Sequence, residues 1–359
     1  METIDISYER TLKDAPEKLV KNGKVQFGSF SKPPKSLDIN GMKYPFGVLP
    51  LPTFITNLRI RSNLSFSFST SEYYGTIDIL DAKLFGLCEV NIWNQKTLQR
   101  YSYKNIMLLI RRLIKKDLEK GFCYTYSKRR DIKISWNREK KYFYVYLDLK
   151  GDSVRPNFMG SFSAPYTNDI PSLTSVLPAP TKRRCYVSFQ QPVSLEGGIC
   201  PTRGKMNPFY LLQKTQTLFV LTKAYYKTRV LNNFISGIGK VGEDEICFRM
   251  ADTSILPTDK DTYNENVLFV NNEITPLPPA TVAHPFGRMK KWSIQDTESM
   301  IDLVFTPASA SQRLISVFLL HAQYFTVFGT FDGVLVTKDG KSITLKDFPG
   351  IINNQRIRL

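Results

Sequence analysis

The stretch NLRIRSNLSFSFST alternates Leu58 and Ile60 with Arg59 and Arg61, then Leu64, Phe66 and Phe68 with serines. Successive side chains of a strand point to opposite faces, so this pattern fits a strand with one buried and one wet face. The same period recurs along the chain. DIKISWNREKKYFYVYLDLKGD reads as two such runs joined at Asn137 to Lys140, a hairpin. SMIDLVFTP and RLISVFLLHAQYFTVFGTF continue the theme, and Asp339-Gly340 supplies the positive backbone φ of a tight hairpin turn. With 21 Pro and 20 Gly punctuating short strands, the expected fold is mainly β, an antiparallel barrel or sandwich rather than alternating α/β units.

One segment breaks the period. KNIMLLIRRLIKKDLEKG sets Ile106, Ile110, Leu113, Ile114 and Leu118 near helical spacing and ends at Gly121, which predicts a short basic amphipathic helix over 104–120. Arg111, Arg112, Lys115 and Lys116 would then form a face for an anionic surface, against the plainer reading of a helix packed on the sheets with its lysine stems spread over apolar neighbours. The excess of 49 Lys+Arg over 32 Asp+Glu favours anionic partners in general: membrane surface, nucleic acid or acidic protein. For nucleic acid, YTYSKRRDIKISW interleaves basic and aromatic residues, but the glycine-aromatic signature of a common RNA-binding sheet is missing, so this partner class ranks below lipid. The N-terminus has acidic residues and no apolar core, and no uncharged apolar run approaches the roughly 18 residues of a membrane-spanning helix, so a soluble, cytoplasmic protein is expected. The stretch SVRPNFMGSFSAPYTNDIPSLTSVLPAPTKRR is rich in Pro, Ser, Thr and Asn and suggests a division near 165, into an N-terminal half 1–165 and a C-terminal half 166–359.

Chemical motifs are sparse. Cys88, Cys123, Cys185, Cys200 and Cys247 lack metal-binding or redox spacing and read as free buried thiols; no metal or cofactor is called for. His321 lies in an apolar run and reads as a core histidine, while His284, before Pro285, reads as a turn residue. Gly237, Gly239 and Gly242 mimic a dinucleotide fingerprint, but no helical pattern follows, so a turn between strands is the better reading. Asp78 with Asp81 is one of many carboxylate pairs and reads as turn-like.

The C-terminal phrase VFGTFDGVLVTKDGKSITLKDFPGI closely resembles the signature of the family called domain of unknown function 2804. RMKKWSIQDTESMIDLVFTP is similar to that family's basic-Trp phrase, here Trp292, followed by a strand ending Phe305, Thr306, Pro307. LTSVLPAPTKRRCYVSFQQPVSLEGGI and NGKVQFGSFSKPP resemble phrases further upstream, so the likeness spans almost the whole chain as one module. It departs at Phe189, at Gly28-Ser29, and at Val230 to Asn233, where the family's tryptophans should fall; between Glu196 and Glu243 there is no Asp, Glu or His. By association the family's fold resembles paired lipocalin-like barrels that handle apolar isoprenoids.

Two functions of different class follow. The first is non-catalytic binding of a hydrophobic or amphipathic small molecule or lipid, at an anionic membrane surface or in a barrel cavity lined from the 24 Phe and 18 Tyr; a core simply filled by those rings is the competing expectation. Tyr225, Tyr226, Arg229 and Trp292, retained from the family phrases, are its candidate ligand-binding residues. The second is an enzyme acting on a lipid or isoprenoid-like substrate, in which a carboxyl of raised pKa protonates a double bond; Asp302 and Asp332 are its candidate acids, each with an ordinary strand-end or turn role as the alternative.

Overall fold

A computed structural model describes residues 6–45, 51–83, 85–108, 113–202, 214–225, 229–254, 259–317 and 320–358. Two large antiparallel sheets account for nearly all of it, as the period-two pattern predicts. The first is a 13-stranded sheet that rolls into an almost closed barrel. Its continuous path runs from Arg100–Leu108 through Phe85–Asn94, Tyr73–Asp81 and Ile60–Ser69 to Lys214–Tyr225, then Cys185–Thr202, Asn157–Ala164, Tyr142–Leu149, Arg130–Asn137 and Lys120–Ser127. The second has nine strands and forms a half-barrel around Arg229–Val241, Asp244–Thr253, Ile301–Val317, Leu320–Val336 and Ser342–Arg358. The chain therefore changes sheets between Tyr225 and Arg229, whereas the Pro-rich stretch near 165 leads into Leu173–Pro178 and Cys185–Thr202, strands of the first sheet.

Both expected hairpins form. Arg130–Asn137 pairs with Tyr142–Leu149 across Arg138 to Lys141, and Leu320–Val336 turns into Ser342–Arg358 at Asp339-Gly340, where Gly340 takes φ +77°. The basic helix does not form where it was expected. Residues up to Leu108 continue the strand Arg100–Leu108, Leu113 to Glu119 are irregular, and Arg111 and Arg112 lie outside the described residues. Leu113, Ile114 and Leu118 are still buried against the first core, whereas Ile106 is exposed and Ile110 lies outside the described residues. The one helix among the described residues is Thr53–Leu58, which carries no basic residue in its last turn. No helix among them is long and apolar enough to cross a membrane.

The barrel interior is full. Phe66, Phe143, Phe162, Phe219 and Trp136 are all completely buried, and Phe143 meets Phe219 edge-on at 5.1 Å while Trp136 meets it at 5.2 Å. Pairs in such geometry contribute about 0.5–1.5 kcal/mol beyond the area they bury. Phe248, Phe305, Phe331, Phe348 and Trp292 fill the concave side of the second sheet in the same way. The count of aromatics is thus spent on two solid cores, and the expected ligand cavity inside a barrel is replaced by packed rings. All five cysteines are free and buried. Gly237 and Gly239 lie within the strand Arg229–Val241, where a side chain would collide with the rings of Phe248 and Phe348; of the three only Gly242 is in a turn.

The outer faces of the sheets pack on each other. Trp93 of the first sheet stacks on Phe328 of the second at 5.5 Å, with Tyr74, Leu218, Ile238 and Ile351 around them. An ionic knot ties the same seam: Arg249 of the second sheet pairs with Glu265, whose Oε1 accepts a hydrogen bond from Tyr186 of the first sheet at 2.9 Å, and Gln190 Nε2 donates to the Glu265 carbonyl at 2.7 Å. Glu265 is completely buried, so removing its cation leaves an uncompensated charge. Arg249→Met should lower stability by about 3–5 kcal/mol in urea unfolding, and the double change with Glu265→Gln should recover a large part of that loss.

Candidate functional site

Four neighbouring strands of the first sheet bring polar side chains into one cross-strand row. Ser65 stands opposite Asp78, Asp78 opposite Glu89, and Glu89 opposite Lys104. Residues directly opposite in an antiparallel pair have Cβ atoms about 4.5–5.5 Å apart, so two carboxyls are held side by side. The alternation that sends Ile77, Ile79, Cys88 and Val90 into the barrel core sends Asp78 and Glu89 out of it. Outward here is not solvent. The row faces the second sheet across a cleft of about 120 Å³, lined also by Arg61, Asn91, Leu218, Val220, Tyr324 and Asn353.

The second sheet answers with Arg313. Its guanidinium pairs with Glu89 and lies 4.2 Å from the ring centre of Tyr324, while Lys104 approaches Glu89 at 3.6 Å from the rim. Arg313 Nε has no hydrogen-bond partner among the described residues, which leaves a charged donor uncommitted beside the cleft. Asp78 accepts a hydrogen bond from Ser65 Oγ at 2.7 Å. Burial pushes the Asp78 carboxyl above the ordinary carboxylate range, against the Ser65 hydrogen bond, and the neighbouring charge of Glu89 pushes the same way while Arg313 opposes. Burial likewise raises the Tyr324 phenol, which the Arg313 charge pulls back in part. The two carboxyls thus sit in different surroundings: Glu89 is matched by cations, and Asp78 is held by a neutral hydroxyl. Such a site suits proton transfer, because a carboxyl raised above its ordinary value holds its proton to a higher pH than an exposed aspartate does.

Asp78, which the sequence offered only as half of a turn-like carboxylate pair, lines this cleft; of the described residues proposed from sequence as ligand-binding groups or acids, none is among its lining. Tyr225 is buried at one mouth of the barrel, its hydroxyl donating to Asn57 Oδ1 at 3.1 Å. Tyr226 lies outside the described residues, and Arg229 is exposed at the start of its strand, opposite Arg358. Trp292 is a core residue of the second sheet, donating from Nε1 to the Arg288 carbonyl at 2.9 Å and stacked under His284 at 4.1 Å. His284 keeps its turn role, its carbonyl accepting from Gly287 N, whereas His321 is exposed rather than in a core and meets Ser316 Oγ at 2.9 Å. Asp302 is exposed and accepts from Gln295 Nε2 at 2.9 Å; Asp332 sits at a bulge and accepts the backbone N–H of Asp347 at 2.9 Å, so both have structural work and neither lines a cavity wall. Lys115 lies 5.0 Å from the Phe122 ring centre, and Lys116 pairs with Asp38. Asp78 and Asp81 belong to one strand but to opposite faces, not to a turn. The signal that finds the site is pairing: the antiparallel register of Tyr73–Asp81 with Phe85–Asn94 sets the two outward carboxylates, Asp78 and Glu89, opposite each other.

The model for domain of unknown function 2804 matches residues 9–359. The chain belongs to the DUF2804 family. The resemblance read from the C-terminal phrase is therefore shown for nearly the whole chain. None of the curated proteins matches the sequence. Among solved structures, the DUF2804 chain is similar to a crystal structure from Nitrosomonas europaea assigned provisionally as AttH, at 10% identity and a TM-score of 0.47, covering 88% of this chain and 98% of that one. It is also similar to kievitone hydratase from Nectria haematococca, at 10% identity and a TM-score of 0.35, covering 83% of this chain and 88% of that one.

The raised carboxyl fixes a pH signature. Between the ordinary carboxylate value and the higher value in the fold, the folded chain binds more protons at Asp78 than the unfolded chain, so stability falls as pH rises through that window. Asp78→Asn, which keeps an acceptor for Ser65, should therefore be more stable than the wild type near neutral pH, by an amount that shrinks as pH falls toward about 4. Urea denaturation at a series of pH values measures it. Asp302→Asn, at an exposed site, should change stability by less than about 0.5 kcal/mol.

Proposed function

We propose that the cleft between the sheets binds a small amphipathic molecule in the cytoplasm and that Asp78 donates a proton to it. The observation that carries this reading is the Asp78–Glu89 pair, Asp78 half-buried and Glu89 buried, faced by Arg313 and Tyr324 across a cleft with both polar and apolar walls. Leu218, Val220 and Ile351 offer an apolar bed, and Arg61, Asn353 and the free Nε of Arg313 offer polar anchors at fixed positions.

The chemistry that suits a protonated carboxyl in such a place is addition to, or cyclisation of, a carbon–carbon double bond. The proton of Asp78 goes to one alkene carbon, leaving a carboxylate; the cation at the other carbon is met by water or by an internal hydroxyl, and the proton released from that nucleophile returns to Asp78. The carboxylate left on Asp78 after the transfer faces the cationic stage and steadies it. This keeps the acid-catalysed reading from the sequence and moves its acid from Asp302 or Asp332 to Asp78.

Native mass spectrometry of the protein purified from its own source separates binding from chemistry. Wild type and Asp78→Asn should both retain a small molecule, with the unconverted form, differing by one water or as an isomer, enriched on the variant. The same molecule in the same form on both proteins would leave a binder and remove the acid step. Empty clefts in both would overturn the reading altogether.

A further inference from the structure

One mouth of the first barrel holds a second constellation, separate from the cleft between the sheets. Along Lys214–Tyr225 the alternation that buries Phe219, Leu221 and Tyr225 in the core puts Lys223 on the same inner face, between Leu221 and Tyr225, with Ser62 as its cross-strand partner. The mouth is covered by Asp38 and Asn40 of the N-terminal segment and by Ile114 to Asp117, and encloses a space of about 360 Å³. Lys223 is 9% exposed and makes no hydrogen bond or ion pair with another described residue, although it borders that space.

Its charged neighbours are otherwise engaged. Asp38 pairs with Lys116. Asp81 accepts the backbone N–H groups of Lys83 and Ile114, at 2.9 and 3.2 Å, and Lys83 Nζ donates to the Asn57 carbonyl. Lys115 and Asp117 complete the charged lining, Lys115 lying over Phe122. A primary amine left unpaired in a partly apolar recess, with other ammonium groups nearby, is the arrangement that favours a neutral, nucleophilic lysine.

We propose that Lys223 is a carbonyl-reactive residue, whose ε-amine condenses reversibly with a small aldehyde or ketone admitted through the barrel mouth. The amine lone pair forms the C–N bond as the carbonyl π pair moves to oxygen; a proton shifts from nitrogen to oxygen to give the carbinolamine, and loss of water leaves the imine. The site is independent of Asp78, which lies on the outer face of the sheet. Burial supports it by lowering the Lys223 ammonium to about 8, with Asp38 and Asp81 pulling upward and Lys116 and Lys83 pulling down. At a pH near that value about half the amine is neutral, against well under about one part in a hundred for an exposed lysine.

The test is reductive trapping. The full-length protein is treated with butyraldehyde and cyanoborohydride near pH 8, and modified lysines are mapped by mass spectrometry. Lys223 should be alkylated at least about tenfold faster than exposed Lys128, with a rate that levels off above about pH 9, because its neutral fraction approaches saturation about one unit above its pKa, whereas that of Lys128 is still rising. Asp38→Asn, which removes the largest influence holding the charge, should raise trapping at Lys223 near pH 7. Lys223→Arg should lose the fast site and keep the slow ones. Modification of Lys223 no faster than Lys128 in the folded wild type, or none at all, would overturn the proposal.

Discussion

Each sheet buries aromatic rings on one face, and so each must also find cover for the other. That second face is where the polar residues of every strand are, because alternation gives no other place for them. Packing the two outer faces together therefore brings charges out of water in matched groups: Glu265 with Arg249 and Tyr186, Glu89 with Arg313 and Lys104. Desolvation on this scale is tolerated only where partners and hydrogen bonds are in place, which fixes the relative register of the sheets more sharply than the apolar contacts around Phe328 alone.

The same constraint decides where a ligand can go. With the barrel interior filled by Phe66, Phe143, Phe162 and Phe219, recesses that hold buried titratable groups open instead in the seam, where two polar faces meet imperfectly, and at the rim of the barrel. Asp78 belongs to the seam. Its partner is a hydroxyl, its cross-strand neighbour is another carboxylate, and the Arg313 guanidinium pairs with that neighbour. A carboxyl held above its ordinary value is the physical outcome of burial together with that unequal division of cations.

Much of the fold was legible in the sequence because strand pairing writes itself locally. The serine–phenylalanine alternation of Ile60–Ser69, the turn at Asp339-Gly340 and the family phrases at the C-terminus all reflect contacts between neighbours in the chain. What misled was the meaning of the polar face. Ser65 and Ser67 read as solvent-facing, yet they lie under a second sheet whose strands come more than 150 residues later, and no local pattern announces that. Arg313, the one cation that crosses to Glu89, is 224 residues away from it. The helical spacing of 104–120 failed for a related reason: Ile106 faces outward on an edge strand while Leu113, Ile114 and Leu118 plug the barrel, so the apolar residues served two different surfaces. Asp302 and Asp332 take the ordinary alternative that their sequence context also allowed, one bonded to Gln295 at an exposed strand position and one to the backbone of Asp347 at a bulge.

The most direct measurement of the central claim is the titration of the Asp78 side-chain carboxyl by carbon-detected NMR, in the wild type and in Glu89→Gln. The account predicts a midpoint above the ordinary aspartate value of about 3.9 in the wild type, moving down when the neighbouring negative charge is removed. A midpoint at or below that ordinary value, unmoved by Glu89→Gln, would contradict it.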